Sequence, residues 1–212
     1  MILITGFEPF GGEGLNPSWA AAQRAAAALN DAGVPAAAVE LPVEFGAAGE
    51  ALRRAIAAGD YDLVLAVGQA GGRPKLSLER VAVNVDDARI PDNAGNSPVD
   101  EPVVPGGPVG YFSTLPVKAC LQALTRAGIP AEVSQTAGTY VCNHVFYALM
   151  HQLAEKPGIR GGFVHVPYAP EQLSGRQHPS MEIAVMAQGL EVIARTALST
   201  GADIKLGAGA TH

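Results

Sequence analysis

Little in this chain points to a cross-linked, nucleic-acid-binding or membrane-bound protein. Only two cysteines occur, Cys120 and Cys142. That is too few for a disulfide framework, and neither is flanked by a CxxC pair or a Cys/His ladder. Charged residues make up only 16% of the sequence, with no block of lysine or arginine. A dedicated DNA or RNA binder would need clustered positive charge to neutralise phosphates. No apolar run approaches the ~18 residues of a membrane span. The opening Met1-Ile2-Leu3-Ile4-Thr5-Gly6 lacks the basic stretch and the apolar length of a signal peptide.

What is present is globular. Hydrophobic residues reach 48% and mean hydropathy is +0.18, which excludes a mainly disordered chain. Twenty acids against 14 bases give a net charge of −6. A length of 212 residues suits one substantial domain at the usual ~150 residues per domain. The expectation is a soluble, cytoplasmic domain in a reducing compartment.

Short β-rich apolar runs alternate with alanine-rich stretches, the pattern of an α/β fold. Residues 1–6 predict a strand. Asn16-Pro17-Ser18-Trp19 opens a helix, with Asn16 as N-cap and Pro17 at the first helical position. It runs to Gly33, a suitable C′ residue. Residues 36–43 predict a second strand, 47–58 a helix stopped by Gly59, and 62–67 an apolar third strand suited to the middle of a parallel sheet. Only GQAGGRPK separates Val67 from the next strand, 76–85. A parallel crossover needs a dozen or more residues, so this strand is expected to be antiparallel and the sheet mixed. Residues 91–116 read as a long loop holding six of the sixteen prolines, and loops of that length are more often functional than idle. A helix at 116–127, a strand at 131–135, a helix at 140–154, a strand at 162–166 and a helix at 180–199 follow. Residues 201–212 are expected to fray. No repeat or linker divides the chain, so 1–212 reads as one domain.

Ligands in open α/β sheets bind beyond the carboxyl ends of the strands. That rim should carry Phe7 to Gly12, Gly68 to Gly72, the segment Gly138 to His144 after the 131–135 strand, and His165. Because strand 76–85 is reversed, Glu79 near its start falls at the same edge. Cys120 shares a helical stripe with Val117, Leu121 and Leu124 and reads as a core residue. Cys142 falls in the first turn of a helix capped by Thr139, where the helix N-terminus favours the thiolate; a buried first-turn cysteine is the alternative. His165 is either a satisfied core residue or a base beside a thiol. His144 is a rival base, but two positions along a helix it points away from Cys142. His151, His178 and His212 sit in no pattern. Strand alternation places Glu79 on the face of Val81, Val83 and Val85, where a carboxylate needs a partner. That partner is an arginine such as Arg89, or the ring of His165 in a Cys-His-acid triad. The loops FEPFGG and GQAGG lack the grammar of dinucleotide sites and P-loops. They suit close approach of backbone amides to a small ligand. Phe7 and Phe10 are core plugs or a ligand clamp.

Together these segments resemble the pyrrolidone carboxyl peptidases, or pyroglutamyl peptidase I family. The runs that carry the resemblance are TGFEPFGG at 5–12, NPSW at 16–19, VGQAGGR at 67–73 and LERVAVN at 78–84, followed by DARIPDNAGNSPVD at 87–100, AGTYVCNHVFY at 137–147 and FVHVPY at 163–168. They span nearly the whole chain in order. The resemblance implies a single-domain, three-layer α/β/α sandwich around a mixed, mostly parallel, twisted sheet. It also implies a cysteine peptidase that removes an N-terminal pyroglutamyl residue from peptides through an acyl-enzyme, without metal or other cofactor. Glu79, Cys142 and His165 align with the family's catalytic triad. Phe7 and Phe10 align with aromatics that flank the pyrrolidone ring, and Gln69 and Arg89 with residues lining the site; Asn16, Ile90 and Val141 complete the expected substrate pocket. The implied partners are peptides with N-terminal pyroglutamate and further copies of the chain, often as a tetramer, and neither nucleic acid nor membrane. EPVVPGGPVGYF at 101–112 does not align with pocket residues. Two other readings stand beside this one: a nucleoside phosphorylase-like transferase, and a non-catalytic small-molecule binder with Cys142 in the core.

Overall fold

The computed structural model describes residues 1–209 other than Ser174 and Arg176. In chain order its first elements are β1 (Ile2–Phe7), α1 (Pro17–Asp31), β2 (Ala36–Leu41), α2 (Ala47–Ala57), β3 (Leu63–Gln69) and β4 (Leu76–Glu79). There follow β5 (Val81–Val83), β6 (Gly110–Phe112), α3 (Val117–Arg126), β7 (Ala131–Ser134), α4 (Val141–Ala154), β8 (Arg160–Val166) and α5 (Ile183–Ser199). Six strands form one sheet in the order β2-β1-β3-β8-β4-β7. The first four are mutually parallel, and β4 runs antiparallel to β8. Strand alternation divides the core in two. Ile2, Ile4, Leu63, Leu65 and Val67 face a layer of α1, α3 and α5, whereas Leu3, Phe7, Val64 and Ala66 face α2 and α4. This is the three-layer α/β/α sandwich around a mixed sheet. Among the described residues no helix is long and apolar enough to cross a membrane.

Local signals in the sequence produce most of these boundaries. Asn16 caps α1, its Oδ1 accepting from Ser18 N at 3.1 Å and Ser18 Oγ at 2.8 Å. Gly33 ends that helix region at φ +76°, a conformation that favours glycine. Cys120 is fully buried against α5, within 3.8 Å of the Ile193 carbonyl.

Three expectations are corrected. The 76–85 strand breaks at Arg80, whose N–H donates to Ser134 O while its carbonyl accepts from Ser113 N. The chain thus leaves the main sheet, and β5 pairs with β6 in a separate antiparallel ribbon. Glu79 therefore shares no strand face with Val81, Val83 and Val85. The 131–135 strand is parallel to β4 and so opposite in direction to β1, β3 and β8. The long proline-rich segment is also not wholly loop, since it contains β6. Beyond α5, Asp203 accepts from Lys118 N and Ala119 N at 3.0 and 2.9 Å and so caps α3. Residues 210–212 lie outside the described residues.

Where α1 begins, it lies directly on β1. A Cβ at Gly6 would come within 2.5 Å of Trp19 Cα and 2.6 Å of Ser18 O, both backbone atoms. The Phe7 amide meanwhile donates to Ser18 Oγ at 3.0 Å. Gly6→Ala is therefore expected to push the helix off the strand. Overpacking of this kind costs about 1–3 kcal/mol, and each kcal/mol lowers the melting temperature by ~2–4 °C in a chain of this size. A calorimetric melt unchanged from wild type would show that α1 can retreat freely.

Candidate active site

The site is built on the sheet face that α4 covers. Gly68 on β3 lies opposite His165 on β8, and on β4 Ser77 lies opposite His165 and Glu79 opposite Phe163. All five side-chain positions share one face by alternation. Glu79 reaches diagonally across the antiparallel pair, the span that long side chains bridge. His165 Nδ1 donates to its Oε1 at 2.7 Å. Cys142 enters from the first turn of α4 and sits over Gly68, where a Cβ would lie 2.8 Å from its Sγ and 2.8 Å from the Phe163 ring. Glycine at 68 therefore leaves the room that the thiol occupies. Among the described residues no hydrogen bond joins the Cys142 thiol to the His165 ring. The N-cap of α4 is Tyr140, without a side-chain cap; Thr139, the expected cap, instead donates to Asp87 O at 2.8 Å.

Glu79 is fully buried. Both of its expected partners are found on one oxygen: Oε1 also accepts from an arginine at 2.8 Å, and that arginine is Arg73 rather than Arg89. Oε2 has no partner. His144 stands apart from this cluster, its Nδ1 donating to Asp86 Oδ2 at 2.8 Å and its Nε2 accepting from Gly46 N at 3.2 Å. Among the described residues no group of three or more His, Cys, Asp or Glu side chains is arranged to hold a metal ion.

Cys142 opens into a small, largely apolar cavity of about 50 Å³, lined by Phe7, Phe10, Val43, Tyr140 and Val141 with the amides of Asn16 and Gln69. A wider cavity of about 420 Å³ adjoins it, sharing Phe10 and Tyr140 and holding Arg89 and Ile90. The walls are braced by the start of the proline-rich segment. Asp92 accepts from Phe45 N at 2.8 Å, Asn93 Nδ2 donates to Glu8 Oε1 at 2.8 Å, and the Tyr140 hydroxyl donates to Pro91 O at 3.0 Å. Burial opposes the charge on Asp92, but hydrogen bonds from Asn96 and from the amides of Phe45, Asn96 and Ala94 hold it below the usual carboxylate range.

Residues 1–200 match the sequence profile of the pyroglutamyl peptidases. The chain belongs to that family of cysteine peptidases. It is 58% identical to the pyrrolidone-carboxylate peptidase of Streptomyces coelicolor, over 100% of this chain and 99% of that one. Identity to the Klebsiella pneumoniae protein of the same name is 54%, over 100% and 99% of the two chains. The crystal structure of pyroglutamyl peptidase I from Bacillus amyloliquefaciens superposes with a TM-score of 0.91 at 44% identity, covering 96% of this chain and 98% of that one. A mutant pyrrolidone carboxyl peptidase from Pyrococcus furiosus gives 0.85 at 43% identity, covering 93% and 97%.

Within this pyroglutamyl peptidase fold, the sequence-derived site residues divide into two groups. Phe7, Phe10, Asn16, Gln69, Val141 and Cys142 meet in the small cavity, with Glu79 and His165 behind the thiol. Arg89 and Ile90 are exposed and line only the wider one. The Asn16 amide is already engaged in capping α1 and in donating to Glu8 O at 2.9 Å. Gln69 Oε1 accepts from Gln172 at 2.9 Å. Val43, Tyr140 and Arg73 escaped the sequence reading. Tyr140 and Arg73 lie inside the motif runs AGTYVC and VGQAGGR, which was the one signal available for them.

Position at a helix N-terminus suggested a thiolate, but the surroundings outweigh it. Burial pushes the Cys142 thiol up to about 12, the negative charge of Glu79 adds to the rise, and Arg73 opposes it. The thiol is thus neutral at rest and reacts as its proton is removed. Far below its pKa the thiolate fraction rises about tenfold per pH unit. Alkylation of Cys142 in a Cys120→Ser background should therefore climb log-linearly from pH 6 to 9. A plateau below pH 8 would mean a preformed thiolate.

Proposed function

We propose that this chain hydrolyses the bond between an N-terminal pyroglutamyl residue and the rest of a peptide, with Cys142 as nucleophile, His165 as acid–base and Glu79 as the carboxylate that orients it. The observation that carries this reading is the buried 2.7 Å contact from His165 Nδ1 to Glu79 Oε1, on the face where Cys142 sits over Gly68. Donation from Nδ1 leaves Nε2 as the proton acceptor. Sγ attacks the carbonyl carbon exocyclic to the pyrrolidone ring while Nε2 takes the thiol proton. Backbone amides near Cys142 stabilise the oxyanion. The tetrahedral intermediate collapses, its amine leaves with the proton from Nε2, and a thioester remains. Water, deprotonated by the same nitrogen, then releases pyroglutamate.

The two cavities suit the two halves of such a substrate. Pyroglutamate is a flat, neutral lactam, and the small cavity offers aromatic and aliphatic walls with two amides and no carboxylate for an ammonium group. Because Gln69 Oε1 is held by Gln172, its NH₂ is the end offered to the ring. The wider cavity beyond Phe10 and Tyr140 suits the departing peptide.

A fluorogenic pyroglutamyl amide tests the assignment. Cys142→Ala and His165→Ala should abolish turnover in folded protein, and thiol alkylation should do the same to the wild type. Cys120→Ser should retain most of the rate. Glu79→Gln should lose a large part of it, toward the ~10⁴-fold seen when a triad acid loses its charge. Wild-type turnover in Cys142→Ala would refute the nucleophile.

Selectivity provides a separate check on the ring pocket. An N-terminal proline has a similar ring but a charged secondary amine and no lactam carbonyl, so binding it would bury an unpaired charge and strand the pocket's donors. Sites that hydrogen-bond a substrate group reject analogues lacking it by ~10⁴-fold or more. The ratio of kcat/KM for pyroglutamyl over prolyl, glutamyl and glutaminyl amides should exceed ~10³, a loose bound on that principle. Comparable values for prolyl and pyroglutamyl amides would sink lactam recognition.

A further inference from the structure

Arg73 lies on the short connection between β3 and β4, outside the three residues just assigned to the chemistry. Its Nη1 donates to Glu79 Oε1 at 2.8 Å, the same oxygen that takes the His165 hydrogen bond at 2.7 Å, while Oε2 has no hydrogen-bond partner among the described residues. The guanidinium is aimed from both sides. Its nitrogens also reach Ser134 Oγ at 3.4 Å and Thr136 O at 3.5 Å, at the end of β7. Behind it the connection is pressed flat: a Cβ on Gly71 would come within 2.2 Å of the Tyr168 hydroxyl, and Gly72 holds φ +85°. We infer that Arg73 is a positioning residue that sets the protonation balance of the triad by competing with His165 for one oxygen of Glu79.

The physical argument starts from a carboxylate with no exposure to water. Such a group is driven toward its neutral form unless a cation stands beside it. Arg73 is that cation, and it cannot be deprotonated at ordinary pH. By drawing the charge of Glu79 toward itself it also weakens the hold of Glu79 on an imidazolium. The ring is then freer to be neutral, the form that accepts the thiol proton. The same positive charge opposes the effect of Glu79 on the Cys142 thiol. The charged and titratable groups around the ring are Glu79 from β4, Arg73 from the β3–β4 connection and Cys142 from α4. Tyr140, behind Cys142, is pushed up to about 12 by burial, with Asp92 and Cys142 adding to the rise, and stays neutral. Phe163 packs on the ring itself at 4.9 Å between centroids.

This inference rests on the triad reading above, and the test separates the two. Arg73→Gln and Arg73→Met remove the charge, Arg73→Lys keeps it without the planar fork, and Glu79→Gln is the opposite control. The readouts are the acid limb of kcat/KM against pH and the NMR titration midpoint of the His165 ring, assigned by its loss in His165→Asn. An adjacent charge moves a titration by ~1–3 units; acting through Glu79 and partly exposed, Arg73 should account for about half a unit or more. With Arg73 neutralised the imidazolium itself becomes the cation that Glu79 requires, so both neutral variants should move the limb and the midpoint to higher pH; Glu79→Gln should move the midpoint to lower pH, and Arg73→Lys should bring the limb most of the way back. Two variants guard against one failing to fold. A lower kcat with limb and midpoint unmoved in the neutral variants would overturn the inference and leave Arg73 as a tether to β7. If instead Cys142→Ala kept its activity, or Glu79→Gln left the midpoint unmoved, the triad reading itself would have failed.

Discussion

A carboxylate removed from water has to be surrounded by donors, and the placement of Glu79 forces three separate parts of the chain to meet. It closes β4, faces α4 and has no exposure. Its charge is supportable only if β8 brings His165 alongside and the β3–β4 connection folds back to bring Arg73. Each of those elements is fixed in turn by ordinary packing: β8 by its seven-residue register with β3, the connection by Gly71 against Tyr168. The break at Arg80 belongs to the same constraint. By leaving the main sheet there, the chain makes Glu79 the last residue of its strand and frees the following segment to form the β5–β6 ribbon.

The cavity in front of the thiol depends on a different kind of support. Apart from Phe7 and Gln69 at the ends of β1 and β3, its walls come from the loops after β1 and β2 and from the start of α4, which lie outside the sheet. The proline-rich segment joins them. Asn93 and Asp92 clasp the first two loops, and Pro91 takes the Tyr140 hydroxyl. Asn143, next to Cys142, adds a bond from the other side: its Nδ2 donates to Val83 O and Val85 O at 2.9 and 3.0 Å. The long loop is thus a brace for the pocket, consistent with the expectation that a loop of such length has work to do.

How much of this could be seen in the sequence depended on how local each signal was. The α1 cap, the apolar β3 and the reversed direction of the strand that follows GQAGGRPK rest on a few neighbouring residues, and they hold. The expectation that Glu79 seeks either an arginine or His165 held in both halves, because a carboxylate among apolar residues states its own need. Which arginine could not be read, since Arg73 sits in a connection whose path is set by Tyr168, nearly a hundred positions away. The direction of β7 was missed for a similar reason: it pairs with β4, and nothing in residues 131–134 records that choice. Which of the two readings of Cys142 applies was not legible, because helix position is a local property and burial a tertiary one. Here burial is the larger effect.

The sheet order has a consequence for how this molecule comes into being. β8 is the last strand made and yet lies between β3 and β4. Without it, the pairings that remain make two incomplete sheets: a parallel one of β2, β1 and β3, and a two-stranded one of β4 and β7. His165 arrives on the strand that zips them together, across contacts with Glu79 separated by 86 residues. Such long-range pairing is slow relative to helix formation. The contact between His165 and Glu79 therefore requires β8 to be seated between β3 and β4. A chain still emerging during synthesis, or one that has locally lost β8, holds Glu79 without the ring that shares its charge.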